Sequence, residues 1–130
     1  MGGKALLYDL ASKIPCFVHD PSAPKKQQGR VMDELVSSLD ITRTILDYAG
    51  VEAPEFMSGA SLRPLVEGKP AVWRRELVLE SLYTGRDTPF QEGIRTKRWK
   101  YIRFYDGVGS YKESDVDFTK RKPEFEMLFD

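Results

Sequence analysis

The run Phe90-Gln91-Glu92-Gly93-Ile94-Arg95-Thr96-Lys97-Arg98-Trp99-Lys100-Tyr101-Ile102-Arg103-Phe104-Tyr105 decides how the rest of the chain is read. Its second half is dense in β-branched and aromatic residues, which suit a pleated, half-buried surface. Thr96-Lys97-Arg98 is a short polar break between two extended halves, so the run predicts a hairpin. Outward from it, Glu76-Leu77-Val78-Leu79-Glu80-Ser81-Leu82 and Phe125-Glu126-Met127-Leu128-Phe129 are further strand candidates. From Trp73 onward the chain therefore reads as an antiparallel meander. The polar loop Tyr83-Thr84-Gly85-Arg86-Asp87-Thr88-Pro89 and a charged, glycine-containing excursion from Asp106 to Pro123 join its parts.

Upstream the period changes. Ala5 to Ile14 predicts a short helix ended by Pro15, and Cys16-Phe17-Val18-His19 predicts a strand buried in a parallel or mixed sheet. Pro21 to Gly29 reads as a solvated loop. After the short apolar step Leu35-Val36, Asp40 is placed as an N-cap for a helix over Ile41–Ala49, stopped by Gly50. Ile41, Ile45 and Tyr48 form its apolar stripe, with Arg43 and Asp47 pointing away. Val51 to Gly59 is a loop, and Ser61 caps one helical turn, Leu62–Val66, that ends near Gly68 and docks by Leu62, Leu65 and Val66.

The whole chain has 130 residues, 41% hydrophobic, 31% charged and 12% aromatic, a composition that a folded chain shows and a disordered one does not. Twenty basic residues balance twenty acidic ones, so no overall field draws in nucleic acid or an anionic membrane surface. No apolar run reaches the roughly 18–20 residues that cross a bilayer, and the start Met1-Gly2-Gly3-Lys4-Ala5-Leu6-Leu7-Tyr8-Asp9 turns to charge too soon for a signal peptide. The apolar close at Met127-Leu128-Phe129-Asp130 and the abrupt start make the chain read as cut at both ends.

The usual carriers of chemistry read blandly. One cysteine, Cys16, and one histidine, His19, cannot form a disulfide or a four-ligand zinc site. Cys16, between Pro15 and Phe17, reads as a buried inert thiol, and His19 as a hydrogen-bonded structural residue. Arg95, Lys97, Arg98, Lys100 and Arg103, interleaved with Trp99, Tyr101 and Phe104, resemble a stacking platform for nucleic acid. Strand alternation favours a structural reading, with aromatics on one face and cations on the other. Glu113, Asp115, Asp117, Glu124 and Glu126 lack the spacing of a calcium loop.

The order of the pieces resembles the sulfatase family of the alkaline phosphatase superfamily. Gly3-Lys4, Tyr8-Asp9 and Lys13-Ile14-Pro15 before Asp20-Pro21 are similar to its Gly-Lys, Tyr-Glu and Arg-x-Pro run into a core strand. Val36 to Ile41 with Thr44 to Val51 resembles the family's strand, Asp cap and helix. Met57 to Leu65 resembles its Gly-x-Ser-Leu loop, Ile94 to Ile102 its terminal hairpin, and Glu126-Met127-Leu128-Phe129-Asp130 its closing strand. Asp9, Lys13 and Arg43 depart from the family's usual Glu, Arg and Pro.

The resemblance implies a fold class: an α+β or α/β fragment, the last strand and helix of an alkaline-phosphatase-like α/β domain followed by a small antiparallel sheet. It divides the chain into residues 1–75, the end of the catalytic domain, and residues 76–130, an antiparallel subdomain. It implies a parent enzyme hydrolysing sulfate esters, of a sulfated carbohydrate or an aryl sulfate, whose partner is thus a sulfated small molecule or glycan, with Ca2+ and a formylglycine made in a Cys/Ser-x-Pro-x-Arg motif. Cys16 is followed by Phe17, Val18 and His19, so it is not that cysteine. Lys4 matches the family's sulfate-contacting lysine, the one catalytic position carried over. Arg86 and Asp87 are candidate substrate contacts. The isolated chain is expected to be inactive and to self-associate through surface that the rest of the parent covers. The residues leave the compartment open, whereas the family implies a periplasmic, extracellular or lysosomal parent. Two rivals are a phosphate mono- or diester hydrolase of the same superfamily and a non-enzymatic interaction module with the Trp99/Tyr101 sheet as its binding face.

Overall fold

The hairpin forms where the sequence predicts it. In the computed structural model, which describes residues 6–82, 88–105 and 117–130, β1 (Glu76–Ser81), β2 (Phe90–Thr96), β3 (Lys100–Tyr105) and β4 (Phe125–Phe129) make one antiparallel sheet in sequence order. The β2–β3 turn closes through Thr96 N–H donating to Trp99 O, 2.8 Å, and Trp99 N–H donating to Thr96 Oγ1, 2.8 Å. Register pairs Arg95 with Lys100, Gly93 with Ile102 and Gln91 with Phe104, and carries on to Leu77, Leu79 and Ser81 of β1 and to Phe129, Met127 and Phe125 of β4. Directly paired residues share a face, so these twelve positions define one side of the sheet.

That side is covered by the chain's first described segment. Leu7 packs on Ile102 and Phe104, with Leu6, Tyr8, Leu79, Met127 and Phe129 around them. The Tyr8 ring meets Phe129 edge-on at 5.9 Å between centroids, and Phe104 stacks on Phe125 at 4.2 Å. The predicted helix over Ala5–Ile14 shrinks to a single turn, α1 (Asp9–Ser12). A segment lying flat on a sheet is held by side chains, which leaves little reason for a longer helix.

The chain divides into two units, the residues up to Pro15 with Glu76–Asp130, and Cys16–Arg75. The described residues before Cys16 thus go with the sheet. Leu7, Tyr8 and Asp9 explain this, since their partners distant in sequence lie on the sheet.

In the second unit, α2 (Ser38–Tyr48) starts three residues before Ile41. Ser37, not Asp40, is the N-cap. Asp40 is the N3 residue of a capping box, its Oδ2 accepting from Ser37 N–H at 2.7 Å while Ser37 accepts from the helix in return. Gly50, at φ 68°, ends the helix as expected. α3 (Arg63–Glu67) follows, with Leu62 buried at its start and Gly68 closing it.

The helix faces are the reverse of those predicted. Asp40 and Thr44 are buried, whereas Ile41 and Ile45 are exposed, Ile45 by 61%. Arg43 turns inward and donates to Met57 O (2.9 Å) and Gly59 O (3.3 Å). The polar face wins because the loop it meets presents backbone groups that require partners. Gly59, at φ 97°, comes so close that a Cβ there would lie 2.5 Å from Leu39 O.

Cys16–His19 carries no ladder in this unit, and Phe17 is 92% exposed. A strand of a parallel sheet needs neighbours to take its amides and carbonyls, and the described residues supply none. Cys16 is exposed rather than buried, as is His19.

Candidate functional site

Two clamps hold the segment 6–12 on the sheet. At the first, the Leu7 backbone N–H donates to Gln91 Oε1 at 2.9 Å across 84 residues of sequence. Gln91 is fully buried (0% exposed), and its Nε2 donates to Pro89 O at 3.3 Å. At the second, Lys100 Nζ, on a residue only 2% exposed, donates to Asp9 Oδ1 (2.9 Å) and Ser12 Oγ (2.7 Å), while Arg95 donates to Asp9 Oδ2 at 3.2 Å. The hydrogen bond from Lys100, with the charges of Lys100, Arg95 and Lys13, holds the Asp9 carboxyl below its ordinary range despite partial desolvation.

Lys100 therefore departs from the expected arrangement in which cations coat the outer face. Strand alternation places it beside Ile102 and Phe104, and Asp9 supplies the charge that makes its burial tolerable. Tyr101 instead lies outside with Arg103, whose guanidinium stacks over its ring at 5.4 Å. On that outer face Arg103 also meets Glu92 and Glu126, and Tyr105 donates to Glu92. Burial and the Glu92 carboxylate push the Tyr105 phenol upward. At the turn, Arg98 pairs with Asp130 at 2.7 Å and stacks over Trp99. Arg95, Arg98, Lys100 and Arg103 of the basic cluster thus each have a carboxylate partner, which supports its structural reading.

Lys4, Arg86 and Asp87 lie outside the described residues. The clamps lie next to them in sequence: Leu7 follows Lys4 by three residues, and Pro89 follows Asp87 by two. Gln91 and Lys100 escaped sequence reasoning because alternation alone assigns a polar residue to solvent. No local pattern marks a strand whose inner face is covered by a polar-toothed segment 84 to 91 residues away.

In the second unit, Asp40 receives four donors: Ser37 N, Ala60 N (2.8 Å), and Arg74 through Nη1 (2.7 Å) and Nη2 (2.6 Å). Burial by itself would raise its carboxyl, and Arg74 with the two amides outweighs it, leaving Asp40 below the ordinary value of 3.8. Thr44 links α2 to the next loop, donating to Asp40 O at 2.7 Å and accepting from Leu62 N at 2.8 Å. The spacing Ser37-x-x-Asp40 is a capping-box signal legible in the sequence. Tyr48 donates to Asp20 at 2.9 Å, and burial together with that carboxylate raises its phenol to about 12. A groove of about 440 Å³ in this unit is lined by Phe17, Val18, Met32, Leu65 and Val66 among others.

The described residues do not fit the Ca2+ implied for the parent, and Cys16 does not fit its formylglycine. Among the described residues no three His, Cys, Asp or Glu side chains converge, and Cys16 lacks the required following Pro and Arg. No described helix is long and apolar enough to cross a membrane.

One unit is thus a meander sheet carrying an N-terminal segment on its inner face, and the other holds a capped helix and a Gly-Ala-Ser-Leu loop. Residues 3–129 match the family described as N-sulphoglucosamine sulphohydrolase, C-terminal, and the chain belongs to that family. It is 30% identical over 128 residues to an N-acetylglucosamine-6-O-sulfatase of Bacteroides thetaiotaomicron, covering 92% of this chain and 22% of the relative. It is 32% identical over 102 residues to an arylsulfatase of Clostridium perfringens, covering 78% and 21%. A solved structure in complex with its substrate, D-glucosamine-2-N,6-O-disulfate, superposes with a TM-score of 0.52 at 31% identity, over 70% of this chain and 16% of that one. The chain spans about a fifth of the length of the curated relatives it matches.

Proposed function

We propose that the chain is the C-terminal part of a sulfatase that hydrolyses sulfate esters of a carbohydrate, and that it is inactive alone. The family match across residues 3–129 is the observation that carries this reading. The carbohydrate preference is supported by the relative named for N-acetylglucosamine and by the neighbour bound to a sulfated glucosamine. In the parent, residues 16–75 close the catalytic α/β domain and the sheet forms its C-terminal subdomain. The apolar residues exposed on α2 and at Phe17 are then covered by the rest of that domain.

Within this reading Lys4 contacts a sulfate oxygen. Its ammonium offsets the negative charge that grows on the sulfuryl oxygens as the ester bond breaks, and a cation aimed at that position is worth most in the transition state. Arg86 and Asp87 meet the sugar. The metal and the formylglycine belong to residues outside this chain.

The test compares two proteins. The purified 130-residue chain, supplied with Ca2+ and an aryl sulfate, should release no sulfate above the protein-free rate. The longer protein of which it is part should release sulfate from N-acetylglucosamine 6-sulfate, and Lys4→Ala should lower kcat/KM by about a hundred-fold, the size seen when one donor to a developing oxyanion is removed. Turnover by the isolated chain, or a longer protein that cleaves a phosphate ester and no sulfate ester, overturns the reading.

A further inference from the structure

We propose that the outer face of the sheet seats an amphipathic helix of the longer protein, laid along the row Val78, Ile94, Tyr101 and Leu128 with basic side chains on its flanks. The proposal rests on the reading of this chain as part of a longer protein, and not on the sulfate chemistry. Register pairs Val78 with Ile94, Ile94 with Tyr101 and Tyr101 with Leu128, so one apolar row crosses all four strands on the side opposite Leu7. Its ends are open, Val78 being 70% exposed and Leu128 64%. The next row on the same face, Glu80, Glu92, Arg103 and Glu126, is charged throughout. Arg103 pairs with Glu92 and Glu126, whereas Glu80, and Glu76 on the other side of Val78, have no ion-pair partner among the described residues. The chain as a whole is neutral, so the acidity of this face is a local excess.

Pattern, dimensions and size select the occupant. A sheet face is covered by a second sheet or by a helix. A second sheet needs apolar residues in successive rows, and here a single apolar row is bordered by charge, which suits the narrow stripe of one helix. Four strands set the ends of the row about 14 Å apart, the length of about ten helical residues. The charged row lies about 7 Å to the side, under the flank of a cylinder about 10 Å across. Lysine or arginine beside the apolar stripe of that helix then meets Glu76 and Glu80, which the sheet itself leaves unpaired. Separate proteins that associate stably engage about 20–30 residues a side, more than this row and its borders offer. A helix tethered in the same polypeptide escapes that requirement because its effective concentration is high, and the chain spans only about a fifth of the length of its curated relatives.

The experiment follows the accessibility of the row. Val78→Cys and Leu128→Cys are made singly, and alkylation of each new thiol by iodoacetamide is read by mass spectrometry of its peptide. Both thiols should react at least about ten-fold more slowly in the longer protein than in the isolated chain, the least that burying an apolar side chain is worth. Glu76→Lys with Glu80→Lys should cut that ratio at position 78 by about two- to five-fold, the size of an exposed charge pair. A photo-crosslinker, Leu128→p-benzoylphenylalanine, should join to a segment of the same polypeptide with apolar residues three and four apart and Lys or Arg beside them. Both sites are exposed in the chain itself, and should one variant of the longer protein not fold, the other serves for the same comparison. Equal rates in the two proteins, a ratio insensitive to Glu76 and Glu80, or a crosslink to a segment without that pattern, to a second copy or to another protein overturns the proposal. A longer protein that shields the row and releases no sulfate supports the proposal while the sulfatase reading fails, and one that releases sulfate with the row open does the reverse.

Discussion

At Asp40, four donors meet one buried carboxylate, so the side chain that reads from sequence as a simple helix cap also fixes the position of Arg74 and of the loop at Ala60. Removing Arg74 leaves that charge buried without its guanidinium, and Arg74→Met is expected to cost about 3–5 kcal/mol in denaturant unfolding. Because the folded carboxyl is held below 3.8, its contribution is complete above the unfolded value. It is lost as pH falls through the depressed folded value. Stability measured against pH should therefore drop on acidification below about 4, and Asp40→Asn should flatten that drop. A variant with the same acid slope as the parent chain would show that other carboxylates set it.

The elements divide into those whose pattern is local and those whose faces are set from a distance. β4 forms over Phe125–Phe129, β2 and β3 form on either side of Thr96-Lys97-Arg98, and Gly50 stops α2, all of them legible because alternation, turn chemistry and a left-handed glycine act within a few residues. The direction in which α2 faces was not legible. An Ile41/Ile45/Tyr48 stripe normally marks the buried side of a helix, but within residues 16–75 the backbone around Gly59–Leu62 bonds to Thr44, Arg43 and Asp40 and draws the polar side inward. Thr44→Val should thus cost about 1–3 kcal/mol by leaving the Leu62 amide unpaired, whereas Ile45→Lys should change stability by less than about 0.5 kcal/mol. Equal effects of the two would mean that α2 buries the apolar side after all.

The segment 6–12 poses the same problem on the sheet. Lys100 gains its burial from Asp9, a residue 91 positions away, so nothing near Lys100 in sequence announces its direction. Since Asp9 is half-exposed and Lys100 is not, the pair should respond unequally to truncation. Asp9→Ala leaves a buried ammonium and should be destabilising by several kcal/mol, on the order of 3, while Lys100→Met replaces it with an apolar chain of similar length and should cost about 1 kcal/mol or less. The double variant should be close to Lys100→Met alone. An Asp9→Ala chain as stable as the parent would show that Ser12 suffices as a partner.

Over the whole molecule, the two units share one property, a large amount of exposed apolar side chain. Leu39, Ile41 and Ile45 on α2, Phe17 and Val31 before it, and Val78 and Leu128 on the sheet are all at least half exposed except Ile41, which is nearly so. With a net charge of zero there is little electrostatic repulsion to keep copies apart. We therefore expect the isolated chain to self-associate in sedimentation, and paired Ile41→Lys and Ile45→Glu substitutions to shift it toward monomer without lowering its unfolding midpoint. A chain already monomeric would mean that these residues need no cover.

The zero charge, the single cysteine and the absence of a convergent ligand cluster among the described residues say little about catalysis if the chemistry is supplied mainly by other residues of a longer enzyme. Sulfate release measures directly whether they do. With N-acetylglucosamine 6-sulfate as substrate, the longer protein carrying this chain is predicted to release sulfate, and Lys4→Ala to reduce that release about a hundred-fold. Release of phosphate from a phosphate ester, with none of sulfate from the sulfated sugar, would contradict it.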